Sequence, residues 1–168
     1  EHDALSPTMH AVAAAATPEG VWLATDEAGA RLVLPDGRTG GVVTQPGLRV
    51  LSLVTWGDDL VLGTADGRLL TTAATRGGDT GTRAAADAGA HAAGAHAAGV
   101  RLLSGVFRGP VTALASAGAG RLWVGSPGAL WRYERASAIW ERVDLAPVDE
   151  EELDVWGLWS RRDGAVWV

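Results

Sequence analysis

Cysteine, lysine and asparagine are all missing from this 168-residue chain. Without cysteine there is neither a disulfide nor a thiolate metal centre, and nothing in the sequence reports the redox state of its compartment. Without lysine, the 14 basic residues are all arginine, scattered along the chain against 20 acidic residues for a formal net charge of -6. That distribution lacks the basic patch a phosphate backbone requires, so nucleic acid is not an expected partner. Phe and Tyr occur once each and isoleucine only at Ile139, against eight Trp. Arginine in place of lysine and the near loss of isoleucine are the habit of a GC-rich, bacterial coding sequence. No run approaches the roughly 18 apolar residues that span a bilayer, so no membrane insertion is expected. The start, Glu1-His2-Asp3, has neither a basic leader region nor an initiator Met and reads as a processed or excised chain.

What the chain does have is a repeat. Four stretches share a turn ending in Gly or Asp, then an apolar strand with Trp or a substitute: Glu19-Gly20-Val21-Trp22-Leu23-Ala24-Thr25, Asp58-Asp59-Leu60-Val61-Leu62-Gly63-Thr64, Gly120-Arg121-Leu122-Trp123-Val124-Gly125-Ser126 and Asp163-Gly164-Ala165-Val166-Trp167-Val168. From 22 to 61 is 39 residues, from 61 to 123 is 62 and from 123 to 167 is 44. The long step holds an insert. A period near 40 to 45 residues with several short strands per unit is the sign of propeller blades. At 47% hydrophobic content the chain can support one domain with a sizeable core. The expected fold is therefore an all-β β-propeller segment of about three and a half to four blades of four antiparallel strands, part of a larger ring. The blades fall at about 10–46, 47–109 with an insert over 73–99, 110–147 and 153–168, the last cut mid-blade.

In the third unit the pattern predicts strands over Val111 to Ser116, Leu122 to Gly125, Ala129 to Tyr133 and Trp140 to Val143. Gly118-Ala119-Gly120 and Pro127-Gly128 supply the turns between them. Pro35-Asp36-Gly37 serves before the last strand of the first unit, and Asp66-Gly67 between the middle strands of the second. The second strand of each unit is apolar with almost no alternation, as expected of a strand buried on both faces. A Trp there hides about 150 to 250 Å², worth about 4 to 6 kcal/mol before ordering costs. Trp22, Trp123 and Trp167 are accordingly expected as buried spacers between sheets.

These motifs resemble the two-component-regulator, or ligand-binding-sensor, type of bacterial β-propeller repeat. The third unit matches best, through Arg121-Leu122-Trp123-Val124-Gly125-Ser126 and Ala129-Leu130-Trp131-Arg132-Tyr133. Departures are Val61 for Trp, Ser126 for Thr and the end of the fourth unit at Val168. The shared motif is one of packing, with no catalytic residue and no cofactor. The resemblance implies a sensory or protein-binding module.

The insert contains a tandem Ala-His-Ala-Ala-Gly at 90–94 and 95–99. Its small residues offer little apolar area to offset backbone ordering, so a mobile surface loop between the third and fourth strands of its unit is expected. His91 and His96 are five apart, a spacing that on a helix turns them about 140° from each other, and no metal is expected there.

The single Tyr133 has Glu134 as its neighbour, which a strand sends to the opposite face, against a tyrosine nucleophile with a carboxylate base. Asp163 directly precedes Gly164, so the likeness to the sialidase Asp-box is partial. Neither Gly125-Ser126-Pro127-Gly128 nor Gly118-Ala119-Gly120 has the spacing of a nucleophile elbow or a dinucleotide fingerprint. No catalytic residue is assigned.

Two surface features are candidate binding elements. Asp149, Glu150, Glu151 and Glu152 form an acidic run entering the fourth unit, able to hold a basic partner or a cation, although such runs are more often plain solvated loops. Trp156 and Trp159, three apart, face opposite ways on a strand, so one belongs to the core and one to the surface beside Arg161 and Arg162. An exposed Trp flanked by arginine can stack a sugar or an aromatic peptide side chain. The sequence thus supports a non-enzymatic scaffold binding a protein or small-molecule ligand. Its alternatives are a fragment of a propeller lyase or glycosidase, and a structural propeller that self-associates through an open blade edge.

Overall fold

A computed structural model describes residues 10–25, 29–43, 47–74, 100–104, 107–118, 120–145, 154–161 and 165–168. Every regular element in it is a strand. The first sheet is β1 (Ala11–Thr17), β2 (Gly20–Thr25), β3 (Gly29–Val33) and β4 (Thr39–Val43), paired in that order. The second is β5 (Val50–Trp56), β6 (Asp59–Thr64), β7 (Leu69–Ala73) and β8 (Arg101–Ser104). The third is β9 (Ala113–Ala117), β10 (Arg121–Ser126), β11 (Ala129–Glu134) and β12 (Ile139–Val143). A two-stranded sheet of β13 (Trp159–Ser160) and β14 (Val166–Trp167) ends the series. All the pairings are antiparallel.

The first strands of successive sheets are neighbours: β1 lies against β5, β5 against β9 and β9 against β13. One apolar cluster fills each junction. Trp22, Leu32, Leu53, Leu60, Leu62 and Leu70 join the first sheet to the second. Trp56, Val61, Leu69, Val111, Leu122 and Val124 join the second to the third. Ala113, Ala115, Leu130, Val155 and Leu158 join the third to the final strands. The second sheet is sandwiched, which is why β6 is apolar over Leu60–Leu62 and buried over Leu60–Thr64, as a strand covered on both faces must be. In β10 burial is less complete, since Arg121 is exposed and Trp123 half-buried.

A recurring latch fixes the spacing between sheets. The connector Val111–Thr112 sets Val111 against Gly63, where a Cβ would fall on Ser52 Oγ and 2.8 Å from Val111 Cβ. Ser52 Oγ donates to the Val111 carbonyl at 2.9 Å, and the Val111 N–H to the Thr64 carbonyl at 3.0 Å. One unit later Val155 seats on Gly125 and Thr112 Oγ1 donates to the Val155 carbonyl. The penultimate glycine of each of these second strands is thus the seat of the following connector. This use of Val111 and Thr112 also shifts the start of β9 to Ala113, two residues after the expected start.

At the outer part of the second junction, Phe107 meets Trp131 and Trp140 edge-on at 5.9 and 5.2 Å, and Tyr133 meets Trp56 at 5.7 Å. Arg135 lies 3.8 Å over the Trp56 ring and donates to Asp59 Oδ2 at 3.0 Å, clasping one sheet's hairpin to the next sheet's turn. The insert joins β7 to β8, paired strands of the second sheet, as its position predicts; residues 75–99, with His91 and His96, lie outside the described residues. Among the described residues no helix is long and apolar enough to cross a membrane.

Two turns repeat the sequence Asp-Gly-Arg. At the second, Asp66 pairs with Arg68 at 2.7 Å and accepts from Thr64 Oγ1. Burial opposes its ionisation, but the hydrogen bonds from Arg68 and Thr64 prevail and hold the carboxyl below its ordinary 3.8. The folded state therefore releases this proton at lower pH than the unfolded chain. The stabilisation is full above 3.8 and is lost as pH falls through the lower folded value. Urea titration of wild type and Asp66→Asn is expected to differ by about 0.5 kcal/mol near neutrality, in keeping with a partly exposed pair, and to converge in acid.

Candidate functional site

The candidate site lies at the last element. Its chain enters through a bridge between Pro127 and Asp154 and runs as irregular backbone to β13. Val155 and Leu158 bury themselves in the third cluster, and this pins the segment to the third sheet. Trp156 is left 74% exposed and Trp159 68% exposed. The strand geometry expected for these two does not apply, because β13 begins only at Trp159. The buried member foreseen for the pair is therefore corrected: the core takes Val155 and Leu158 instead, and both indoles face solvent.

Trp167 is a second correction. Expected as a buried spacer, it is 62% exposed. Its neighbour Val166 packs toward the third cluster, and alternation along β14 sends Trp167 to the other face. Trp159 is its register partner across the strand pair, so two indoles stand side by side on one surface. The Trp159 ring lies over Gly157, where a Cβ would be 3.0 Å from the ring. Trp22 by contrast is 3% exposed, with its indole N–H donating to the Ala74 carbonyl at 3.2 Å. Trp123 is half-buried against the third cluster, with Arg132 5.9 Å from its ring centroid.

Arg161 is exposed, and its N–H closes the β13–β14 turn on the Ala165 carbonyl at 2.8 Å. Asp149, Glu150, Glu151, Glu152 and Arg162 lie outside the described residues. Of the named site residues the structure describes Trp156, Trp159 and Arg161, all three exposed, and it sets Trp167 beside Trp159. The spacing of Val155 and Leu158 was the available signal, for two aliphatic residues three apart can anchor an irregular segment as well as a helix. Elsewhere, Tyr133 belongs to the aromatic junction and Glu134 pairs with Arg121 at 2.9 Å, so they do not meet. Among the described residues no cluster of three metal-ligating side chains forms.

Exposed groups of large apolar rings are uncommon on protein surfaces and are a recurring feature of interaction sites. The planar faces of exposed indoles can stack on a sugar ring or an aromatic side chain.

No protein-family model and no curated protein matches the sequence. Solved structures do. The extracellular domain of a Bacteroides thetaiotaomicron protein assigned as a one-component system superposes with a TM-score of 0.64 at 16% identity, over 96% of this chain and 20% of that one. An auxiliary nutrient binding protein from the same species gives 0.60 at 13% identity, over 92% of this chain and 34% of that one. A Bacteroides caccae protein of unknown function gives 0.56 at 13%, over 96% and 53%. At these identities the likeness is one of fold. The chain spans about a fifth of the first of these proteins and about half of the last.

Proposed function

We propose that this chain is a non-enzymatic, β-propeller-type binding module, the sensory or regulatory part of a bacterial protein, that takes its protein or small-molecule ligand on the Trp156, Trp159 and Trp167 surface. The observation that carries the reading is the joint exposure of these three rings. Three four-stranded meanders joined first strand to first strand support the blade interpretation, as does the packing resemblance of the third unit. Likeness of fold to an extracellular sensor-system domain and to a nutrient binding protein agrees with it.

The test uses a panel of soluble oligosaccharides and aromatic-containing peptides, followed by the fluorescence of the exposed indoles. At least one probe is expected to bind, and Trp156→Ala and Trp159→Ala are each expected to weaken it about tenfold, near 1.4 kcal/mol, with unchanged circular dichroism. The same oligosaccharide samples are assayed for new reducing ends. Turnover that a single Asp, Glu or Arg substitution abolishes would sink the binding reading in favour of a propeller lyase or glycosidase.

A further inference from the structure

The β5–β6 turn is gripped from both neighbouring sheets. On one side the Trp22 indole N–H of the first sheet donates to the Ala74 carbonyl at 3.2 Å, and the Ala74 N–H donates to the Asp58 carbonyl at 2.8 Å. On the other side Arg135 of the third sheet donates through Nη2 to the Trp56 carbonyl at 3.3 Å and to Asp59 Oδ2 at 3.0 Å. The turn residues Trp56, Gly57, Asp58 and Asp59 thus link a donor on the first sheet to a donor on the third. They lie at the Asp59 end of β6, opposite the Gly63 end on which Val111 seats.

The grip from the third sheet is aimed by that sheet's own backbone. The Arg135 N–H donates to the Gly120 carbonyl at 2.8 Å, and Glu134 pairs with Arg121 at 2.9 Å, so the end of β11 is held on the start of β10. The turn that follows places Ala138 at φ +54°, a left-handed conformation uncommon for a residue with a Cβ, which persists where the surroundings hold it. Facing it, Gly57 has φ +62° and its Cβ position lies 3.8 Å from Arg135 Nη1.

Trp56 gives the grip two arrangements. Its indole is 2% exposed, yet its N–H has no acceptor, whereas the N–H of Trp22 has one. A buried donor left unpaired is costly. The ring is held in that state by Tyr133, edge-on at 5.7 Å, and by the Arg135 guanidinium, 3.8 Å from its centroid. The Arg135 side chain is 43% exposed and can swing into water without disturbing the core. Once it leaves, one face of the indole opens and the N–H can turn toward an acceptor.

We propose that this turn is a coupling switch: with the Arg135 clasp closed the three sheets act as one body, and opening of the clasp on the third sheet loosens the Trp22 contact on the first. This goes beyond the binding reading above and stands apart from it. Coupling between distant places needs contiguous contacts and an element with two arrangements. The hydrogen bonds from Trp22 through Ala74 and Asp58 supply the first, and Trp56 under Arg135 supplies the second.

The test is hydrogen exchange resolved by residue, read by NMR on this chain. Arg135→Met keeps the side-chain stem and removes the guanidinium, and Asp59→Asn removes the charge that pairs with it. Arg135→Met is expected to speed exchange of the Ala74 N–H and the Trp22 indole N–H about tenfold, and Asp59→Asn about threefold, because stacking on Trp56 survives. The N–H groups of Gly37 and Gly67, bonded in turns outside the series, are expected to change by less than about twofold. Linkage is reciprocal, so Trp22→Phe is expected to speed exchange of the Trp56 indole N–H. If that variant does not fold, the two surface variants decide alone. The proposal is overturned if Arg135→Met leaves Ala74 and Trp22 within about twofold of wild type, since the clasp is then local. It is overturned equally if Gly37 and Gly67 speed up as much as Ala74, which is general destabilisation, or if a folded Trp22→Phe leaves Trp56 unchanged.

Discussion

Gly67→Ala is expected to cost about 3 kcal/mol and Gly37→Ala only about 1, although the two glycines occupy the same turn. Both follow Asp and precede Arg, with φ of +82° at Gly37 and +80° at Gly67. Both turns close the same way: Gly37 N–H donates to the Leu34 carbonyl at 2.9 Å and Gly67 N–H to the Thr64 carbonyl at 3.2 Å. Asp36 and Arg38 pair at 2.6 Å, as Asp66 and Arg68 do at 2.7 Å. An alanine at either position meets the left-handed backbone penalty, about 1 to 2 kcal/mol for a residue with a Cβ.

They differ in what lies above them. Nothing comes within 4 Å of a Cβ at Gly37. At Gly67 the added carbon would fall on the Phe107 carbonyl oxygen and 2.8 Å from that of Gly109. Those oxygens belong to the connector that carries Phe107 and Val111 into the second junction, so the backbone cannot retreat without loosening both. Overpacking of this kind costs about 1 to 3 kcal/mol more. For a chain of this length each kcal/mol moves the midpoint by about 2 to 4 °C. Thermal unfolding of the two variants therefore separates the backbone cost from the packing cost, and equal midpoints would show that the connector yields freely.

The same comparison shows what the sequence can and cannot carry. In the third sheet the four strands lie within two residues of the positions that apolar runs and Gly or Pro turns indicate, because hairpins with short turns leave register little freedom. The insert was legible as a break in the repeat, and its ends join β7 and β8. The candidate site was legible only as a composition, tryptophans beside arginines. Its geometry was not, since two-fold alternation does not run from Trp156 to Trp159, where the chain is irregular up to the start of β13. Val155 decides the matter through a long-range contact with Gly125, a contact no local period encodes. Likewise the motif places Trp22, Trp123 and Trp167 at equivalent positions, but their burial differs, Trp22 being 3% and Trp167 62% exposed, because burial depends on long-range packing.

That dependence gives the second large effect. Trp22→Ala is expected to destabilise by about 3 to 5 kcal/mol, as removal of a fully buried indole from a formed core does. It also strands the Ala74 carbonyl that accepts the indole N–H. Trp167→Ala, at the equivalent repeat position, is expected to change the stability of the monomer by less than about 0.5 kcal/mol, because its ring is already largely in water. Trp123→Ala should fall between, with a half-buried ring and Arg132 beside it. Denaturant titration ranks the three. If Trp167 proved as costly as Trp22, its ring would be packed within the monomer and unavailable to a partner. If instead its loss leaves the fold intact but weakens probe binding, one repeat position has two roles, packing at Trp22 and recognition at Trp167.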